Sequence, residues 1–126
     1  MSEVLQHGWT RVRTPNGRYE YQFQGRSPAV RNGQYEDAND YQFLVMDENG
    51  WLYKIPVRMA AEAEAAIETS AAPGGGVSPA VLRIAEAQLR AGLAGFAPRP
   101  NAPYAELDAH FAVDAARARE LAGPPS

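Results

Sequence analysis

The sequence contains no cysteine and only two histidines, His7 and His110. The absence of cysteine excludes a disulfide framework, a thiol nucleophile and an iron–sulfur cluster, and two histidines alone do not form a Cys/His zinc site. We therefore expect neither a metal nor a cofactor. Any reaction at this chain would have to use carboxylates, tyrosines or arginines.

Long apolar runs are missing as well. No stretch approaches the roughly 18 uninterrupted apolar residues that a membrane-spanning helix needs, and the chain opens with Met1-Ser2-Glu3 instead of a basic segment before an apolar run. We expect no membrane association and a cytoplasmic location. The 126 residues are 45% hydrophobic and 21% charged, which predicts one folded domain over residues 1–126.

Basic charge is limited: the formal net charge is −3, and Lys54 is the single lysine. Residues 1–59 carry seven basic and seven acidic side chains, whereas residues 60–126 carry five basic and eight acidic ones, so the net acid lies in the second half. A sequence pI of about 5.3 argues against non-specific binding to polyanions, which depends on many phosphate contacts. A local basic patch is still compatible with these numbers.

The composition changes near residue 59. Nine of the twelve aromatic residues precede this point and 21 of the 23 alanines follow it, which predicts a β-rich part over 1–59 and a helical part over 60–122. The predicted fold is α+β: a four-stranded, mostly antiparallel meander sheet, covered on one face by three Ala-rich helices. The proline-rich segment 97–103 is predicted to be an extended linker before the last helix.

The clearest local pattern is a hairpin over residues 41–58. Asp47 and Gly50 occupy the first and last positions of a type I turn that ends in a left-handed glycine. This turn places Val45 opposite Tyr53, and the same register brings seven apolar or aromatic side chains to one face. Pro56 then falls where its missing N–H would point away from the neighbouring strand, which predicts that this strand is an edge there.

An earlier hairpin is predicted around Thr14-Pro15-Asn16-Gly17, with two registers left open. A bulged loop would pair Arg11 with Tyr21, whereas a two-residue Asn16-Gly17 turn would pair Val12 with Tyr21. In both registers the aromatic residues of the second strand share one face. Residues 25–40 are predicted to form a long loop with at most one short strand.

Three helices are predicted from alanine content, periodicity and capping residues. The first spans residues 59–70, with Met59, Ala63, Ala66 and Ile67 facing inward. The second begins at Ser78, with a proline at its first position, and runs to about residue 96. The third runs from about residue 101 to residue 123.

The segment of alternating arginines and aromatics is the strongest candidate binding surface. Sheets hold single-stranded nucleic acid by stacking bases on aromatic rings that are flanked by arginine. The competing interpretation is that the aromatic rings form the core and the arginines its solvated side. The candidate residues are Trp9, Arg11, Arg13, Arg18, Tyr19, Tyr21, Arg26 and Arg31.

Other chemical candidates have ordinary structural explanations. Glu64 and Glu68 lie one helical turn apart, but paired carboxylates on a helix are usually a solvated face. His110 with Asp114 at i+4 is explained by a surface ion pair. The glycine run 74–76 before the second helix lacks the lysine of a phosphate-binding loop, and we interpret it as a linker.

Self-association is predicted for the last helix. Its apolar stripe, Tyr104, Leu107 and Phe111, follows the extended linker and would dock either on its own sheet or on a second copy. We favour the homodimer, because thin alanine-rich helices are poorly matched to a sheet with many large aromatics.

No motif in the sequence identifies a reaction or a family. The preferred interpretation is therefore a non-catalytic binding or regulatory protein that acts through protein–protein contacts. The alternative is a single-stranded nucleic-acid binder that uses the segment 9–31. A third hypothesis is a small enzyme with a carboxylate or Tyr/Arg site.

Overall fold

The computed structural model describes residues 8–67 and 77–123, and the fold is α+β as predicted. The sheet has the order β1-β2-β3-β4-β5; its first four strands form the predicted antiparallel meander, and the short β5 lies parallel to β4. The described strands are β1 (Thr10–Thr14), β2 (Gly17–Arg31), β3 (Gln34–Met46), β4 (Leu52–Ala60) and β5 (Ala112–Val113). The described helices are α1 (Ala61–Ile67), α2 (Pro79–Gly95), α3 (Tyr104–Phe111) and α4 (Ala115–Ala122).

The β3–β4 hairpin has the predicted register. The backbone N–H of Asp47 donates to the carbonyl of Trp51 at 3.0 Å, Val45 lies opposite Tyr53, and Gly50 has a φ of 85°. The Asp47 carboxylate also accepts the backbone N–H of Trp51 at 3.0 Å, which closes the turn. Turn chemistry and the apolar pattern therefore agree on one pairing.

Both predicted registers of the first hairpin are wrong. Thr10 lies opposite Tyr21 and Val12 opposite Tyr19, because the turn residues are Pro15 and Asn16. Proline suits the first central position of a type I turn, since its φ is already set there.

A long-range contact supports this turn. The side-chain amide of Asn16 donates to the carbonyls of Leu93 and Ala94, at 3.0 and 3.3 Å, near the end of α2. The last carbonyls of a helix lack partners within the helix, so Asn16 satisfies them from the sheet. This contact, 77 residues away along the chain, is not visible in local turn patterns.

The long loop predicted over residues 25–40 is also wrong. Strands β2 and β3 continue to a two-residue turn at Asn32 and Gly33, whose φ values are 56° and 77°. Positive φ at both central residues is the type I′ geometry that joins strands directly. We call residues 26–40 the arm. Its composition is too polar to show strand periodicity, and the pairing shifts register near Gly25 and Ala29.

Helices α1 and α2 begin where local signals place them, with one correction. Met59 and Ala60 belong to β4, so α1 starts at Ala61; Ala63 is buried as predicted, but Ala66 is exposed. The predicted extension of α1 over residues 68–70 lies outside the described residues. Ser78 caps α2 by accepting the N–H of Val81.

The single third helix predicted over 101–123 is wrong, because the chain forms α3, β5 and α4 there. Ala112 and Val113 pair with Arg58 and Met59 on the edge of β4, and Val113 is buried. Asp114 then caps α4 by accepting the N–H of Arg117 at 2.8 Å. The free edge of β4 and a capping residue together outweigh the helical periodicity.

The core lies between the aromatic face of the sheet and helix α2. Helix α3 approaches α2 at Gly92, where an added Cβ would lie 2.2 Å from Cε1 of Phe111 and 2.7 Å from the carbonyl oxygen of His110. Only glycine allows this approach. The core residues contributed by β2, β3 and β4 are Tyr19, Tyr21, Tyr41, Phe43, Val45, Ile55, Val57 and Met59.

This close approach gives a first prediction. Gly92→Ala should lower the free energy of unfolding by about 1 to 3 kcal/mol, because the new methyl group overpacks the contact with Phe111. Gly95→Ala in the same helix is the matched control, since its nearest neighbour would lie at 3.8 Å, and it should be neutral or slightly stabilising. Urea denaturation of both variants measures the difference, and equal stabilities would contradict the packing.

Candidate functional site

The structure separates the aromatic residues of the predicted nucleic-acid surface. Tyr19 and Tyr21 are 5% and 1% exposed and belong to the core, so their rings do not form a platform for bases. The Tyr21 hydroxyl accepts a hydrogen bond from Arg90 at 2.9 Å. Trp9 is half-buried. The two tyrosines therefore lie in the core, as the competing interpretation of this segment expected.

The arginines of that segment are also dispersed. Arg11, Arg13 and Arg18 are exposed, and they line a shallow pocket together with the acidic residues Asp47 and Glu48. The other two, Arg26 and Arg31, contact carboxylates elsewhere in the fold. Positive charge along the segment is therefore locally balanced.

Arg31 forms the most buried ion pair described here. Its guanidinium donates to both carboxylate oxygens of Asp40, at 2.9 and 3.1 Å, and to Asp108 of α3 at 3.3 Å. The ring of Tyr104 lies 4.0 Å from the Arg31 Cζ atom, a distance typical of a cation–π contact. Arg58 extends the cluster, with Nη1 lying 3.6 Å from Asp108. These contacts join the arm to α3.

Glu64 is the acceptor in a second polar cluster. Arg26 donates to it through two nitrogens at 3.0 and 3.2 Å, Asn39 donates at 2.8 Å and the Tyr41 hydroxyl donates at 2.6 Å. Burial acts to raise the pKa of Glu64, but these hydrogen bonds outweigh it and lower the pKa below the ordinary value. The pKa of the Tyr41 hydroxyl is raised, mainly by burial and to a smaller extent by its hydrogen bond to Glu64.

This arrangement is structural in character. A general acid or base needs a pKa near the working pH, whereas Glu64 stays ionised with its oxygens occupied. The other member of the predicted pair, Glu68, lies outside the described residues, as do His7 and the glycine run 74–76. Within residues 8–67 and 77–123, no three His, Asp or Glu side chains are grouped as a metal site would require.

His110 does not form the predicted pair with Asp114. The His110 ring packs against Phe96 with 5.1 Å between the ring centroids, and Asp114 caps α4 instead. The break between α3 and α4 removes the i, i+4 relationship on which the prediction depended.

The predicted self-association stripe is turned mostly inward. Phe111 is completely buried and Leu107 is 8% exposed within the same chain, so α3 docks on its own fold. Tyr104, the third residue of the stripe, is half exposed beside Arg31. The linker brings the helix back to its own sheet.

A cleft of about 900 Å³ lies along β4, and we call it the edge cleft. The sheet side of the cleft is formed by residues 51–56 at the start of β4 and by residues 24–27 of β2 and 42–44 of β3. The other side is the Pro-rich segment with the start of α3. The sequence predicted both the strand edge at Pro56 and the extended segment, but not that they face each other. The lining residues used below are Arg26, Trp51, Leu52, Lys54, Pro56, Arg99 and Tyr104.

The residues of β4 that line this cleft lie on a strand edge without a neighbouring strand in the described part of the chain. The hydrogen-bonded pair at Asp47 and Trp51 sets the alternation of the ladder, so the N–H and carbonyl groups of Leu52 and Lys54 point away from β3. On that side β5 pairs only with Arg58 and Met59. Among the described residues, the edge from Leu52 to Pro56 has no neighbouring strand.

The cleft is apolar at its rim and carries charge of one sign. Trp51, Leu52 and Tyr104 are 66%, 56% and 50% exposed, and they are three of the five large apolar side chains exposed in the described part of the chain. Among the described residues, the charged side chains that line the cleft are Arg26, Lys54 and Arg99, with no aspartate or glutamate. A region with these properties is a candidate interaction surface.

No family model, no curated protein and no solved structure matches this chain. In the described residues, no helix is long and apolar enough to cross a membrane.

The Glu64 cluster gives a second prediction. At pH 7, Glu64→Gln should lower the free energy of unfolding by about 1 to 3 kcal/mol, because it replaces a partly buried acceptor of charge-assisted hydrogen bonds. The pKa of Glu64 in the folded state lies below its ordinary value of 4.5. The stabilisation is therefore complete above the ordinary value and is lost as the pH falls through the folded pKa.

The measurement is chemical denaturation of the wild type and the variant between pH 7 and pH 3. The difference in stability should shrink as the pH falls below about 4.5. Glu62→Gln, at an exposed position of the same helix, is the control and should change stability by less than about 0.5 kcal/mol. A difference that is independent of pH would contradict the ionised cluster.

Proposed function

We propose that this chain is a non-catalytic binding protein that acts through protein–protein contacts, and that an extended segment of its partner binds in the edge cleft as a further strand beside β4. The observation that carries the proposal is the edge of β4 at Leu52 and Lys54, which has no neighbouring strand among the described residues and whose residues line a cleft. Extended peptides bind other proteins by adding to such edges, with main-chain hydrogen bonds supplying affinity.

The energetics favour a weak, reversible complex. Leu52 and Lys54 each offer one donor and one acceptor, and a net hydrogen bond contributes about 0.5 to 1.5 kcal/mol. Burial of the exposed Trp51, Leu52 and Tyr104 adds about 25 cal/mol per Å² of apolar surface removed from water. After the entropic cost of association, a Kd on the order of micromolar is expected.

A second copy of the chain is a poorer occupant than a different protein. In an antiparallel pair of β4 edges centred on Lys54, two ammonium groups would lie opposite each other. Pro56 also removes one donor from the edge. Lysine and proline are devices by which edge strands avoid pairing with themselves, so the partner is a different chain.

The other two function classes have less support. Glu64, the described member of the carboxylate pair, accepts hydrogen bonds from neighbouring side chains, and His110 is packed against Phe96. Stacking of bases on Tyr19 and Tyr21 would require rings that are buried in the core. Protein binding at the edge cleft uses side chains that are exposed.

The test uses a capped five-residue peptide, Val-Thr-Gln-Thr-Val, titrated into the full chain and followed by backbone amide shifts. We expect saturable binding with the largest changes along residues 51–56. Leu52→Pro removes one of the two amide donors and should weaken binding at least tenfold, with one partner hydrogen bond lost and the added strand disrupted. Leu52→Ala keeps the amide and should weaken binding less.

Arg11→Pro is the matched control, because it places a proline on β1, the opposite edge of the sheet. It should leave affinity unchanged. Circular dichroism and a denaturation curve must first show that each variant is folded. Binding that is equally strong in Leu52→Pro and the wild type, or no binding of this peptide and of its Glu and Lys versions, would overturn the proposal.

A further inference from the structure

We infer that the partner segment is acidic, with an aspartate or glutamate opposite Lys54 and an apolar residue two positions away. This inference rests on the proposed function and adds the chemical identity of the partner. The chain has a formal net charge of −3, whereas the charged residues that line the cleft in the described part of the chain are all basic.

The three cations of the cleft are not equivalent. Arg26 is held by Glu64, and Arg99 forms an ion pair with Glu106. Lys54 has no ion-pair partner among the described residues, and its side chain is exposed. It is therefore the charge that is left for a bound segment to neutralise.

Strand geometry places the partner's carboxylate. Residues directly opposite each other on neighbouring strands have Cβ atoms roughly 4.5 to 5.5 Å apart on the same face of the sheet. An acidic side chain opposite Lys54 is within reach of its ammonium group in either strand direction. Residues two positions apart share a face, so the next partner side chain on this face lies opposite Leu52.

The apolar requirement follows from Leu52 and its neighbours. Leu52 is 56% exposed, and Trp51 and Tyr104 also line the cleft. An apolar partner side chain opposite Leu52 removes this surface from water, whereas a charged one would lose hydration without gaining an ion partner. We therefore expect a partner motif in which an acidic residue and an apolar residue are two positions apart in the sequence.

The test compares three capped peptides, Val-Thr-Glu-Thr-Val and its Gln and Lys versions, which present the same pattern in both strand directions. At low ionic strength the Glu peptide should bind about two- to fivefold more tightly than the Gln peptide, the range of an exposed cross-strand ion pair. The Lys peptide should bind least tightly. Added salt should reduce the differences in affinity among the three peptides, because it screens the charge interaction.

Two variants assign the preference to Lys54. Lys54→Gln should bind the Glu and Gln peptides equally, and Lys54→Glu should bind the Lys peptide most tightly. Arg13→Glu changes the net charge by the same amount as Lys54→Glu, but at an exposed position that does not line the cleft, and it should keep the wild-type order of peptide affinities. A preference that survives Lys54→Gln would overturn the inference.

The outcomes distinguish this inference from the proposed function. If the Gln peptide binds at the edge and the Glu peptide binds no better, the acidic motif is wrong and the binding function stands. If none of the three peptides binds, both are wrong. If an oligo-dT strand displaces the Glu peptide and binds more tightly, the cleft is a polynucleotide site. If the wild type has a mass in solution above the 13.7 kDa of one chain and Lys54→Glu does not, the cleft binds a second copy. Either result overturns the inference of an acidic partner segment.

Discussion

The position of α3 is the constraint on which the rest of the structure depends. On one side, Phe111 reaches the core through the space that Gly92 leaves open. On the other side, Asp108 and Tyr104 contact the guanidinium of Arg31, which is only 8% exposed. An ion pair this buried needs nearly complete hydrogen bonding to offset its desolvation, and α3 supplies part of that bonding.

With α3 held in this place, the chain that follows it reaches the edge of β4. Ala112 and Val113 pair with the end of β4 and leave its first half without a strand partner among the described residues. The Pro-rich segment before α3 forms the opposite wall of the edge cleft. The half-closed edge and the cleft are therefore two consequences of one helix position.

Elements with two agreeing local signals could be predicted from the sequence. The β3–β4 hairpin combines a turn pattern at Asp47 and Gly50 with an apolar face, and α2 combines Ser78 with a proline. The arm, the first turn and the break after α3 also carry local turn or capping residues, but these were not decisive because each element depends in addition on a distant contact: Arg31 with Asp108, Asn16 with Leu93, and Ala112 with Arg58. Pro56 and the linker were each predicted, but their apposition across a cleft is a tertiary property.

The most direct test of the central claim is amide hydrogen exchange at Leu52 and Lys54, with and without the Val-Thr-Glu-Thr-Val peptide. In the free chain these two amides point away from β3, so they should exchange much faster than those of Tyr53 and Ile55, which pair with β3. Saturation with peptide should slow exchange at Leu52 and Lys54 selectively. Binding that leaves both amides in fast exchange would contradict strand addition at the edge of β4.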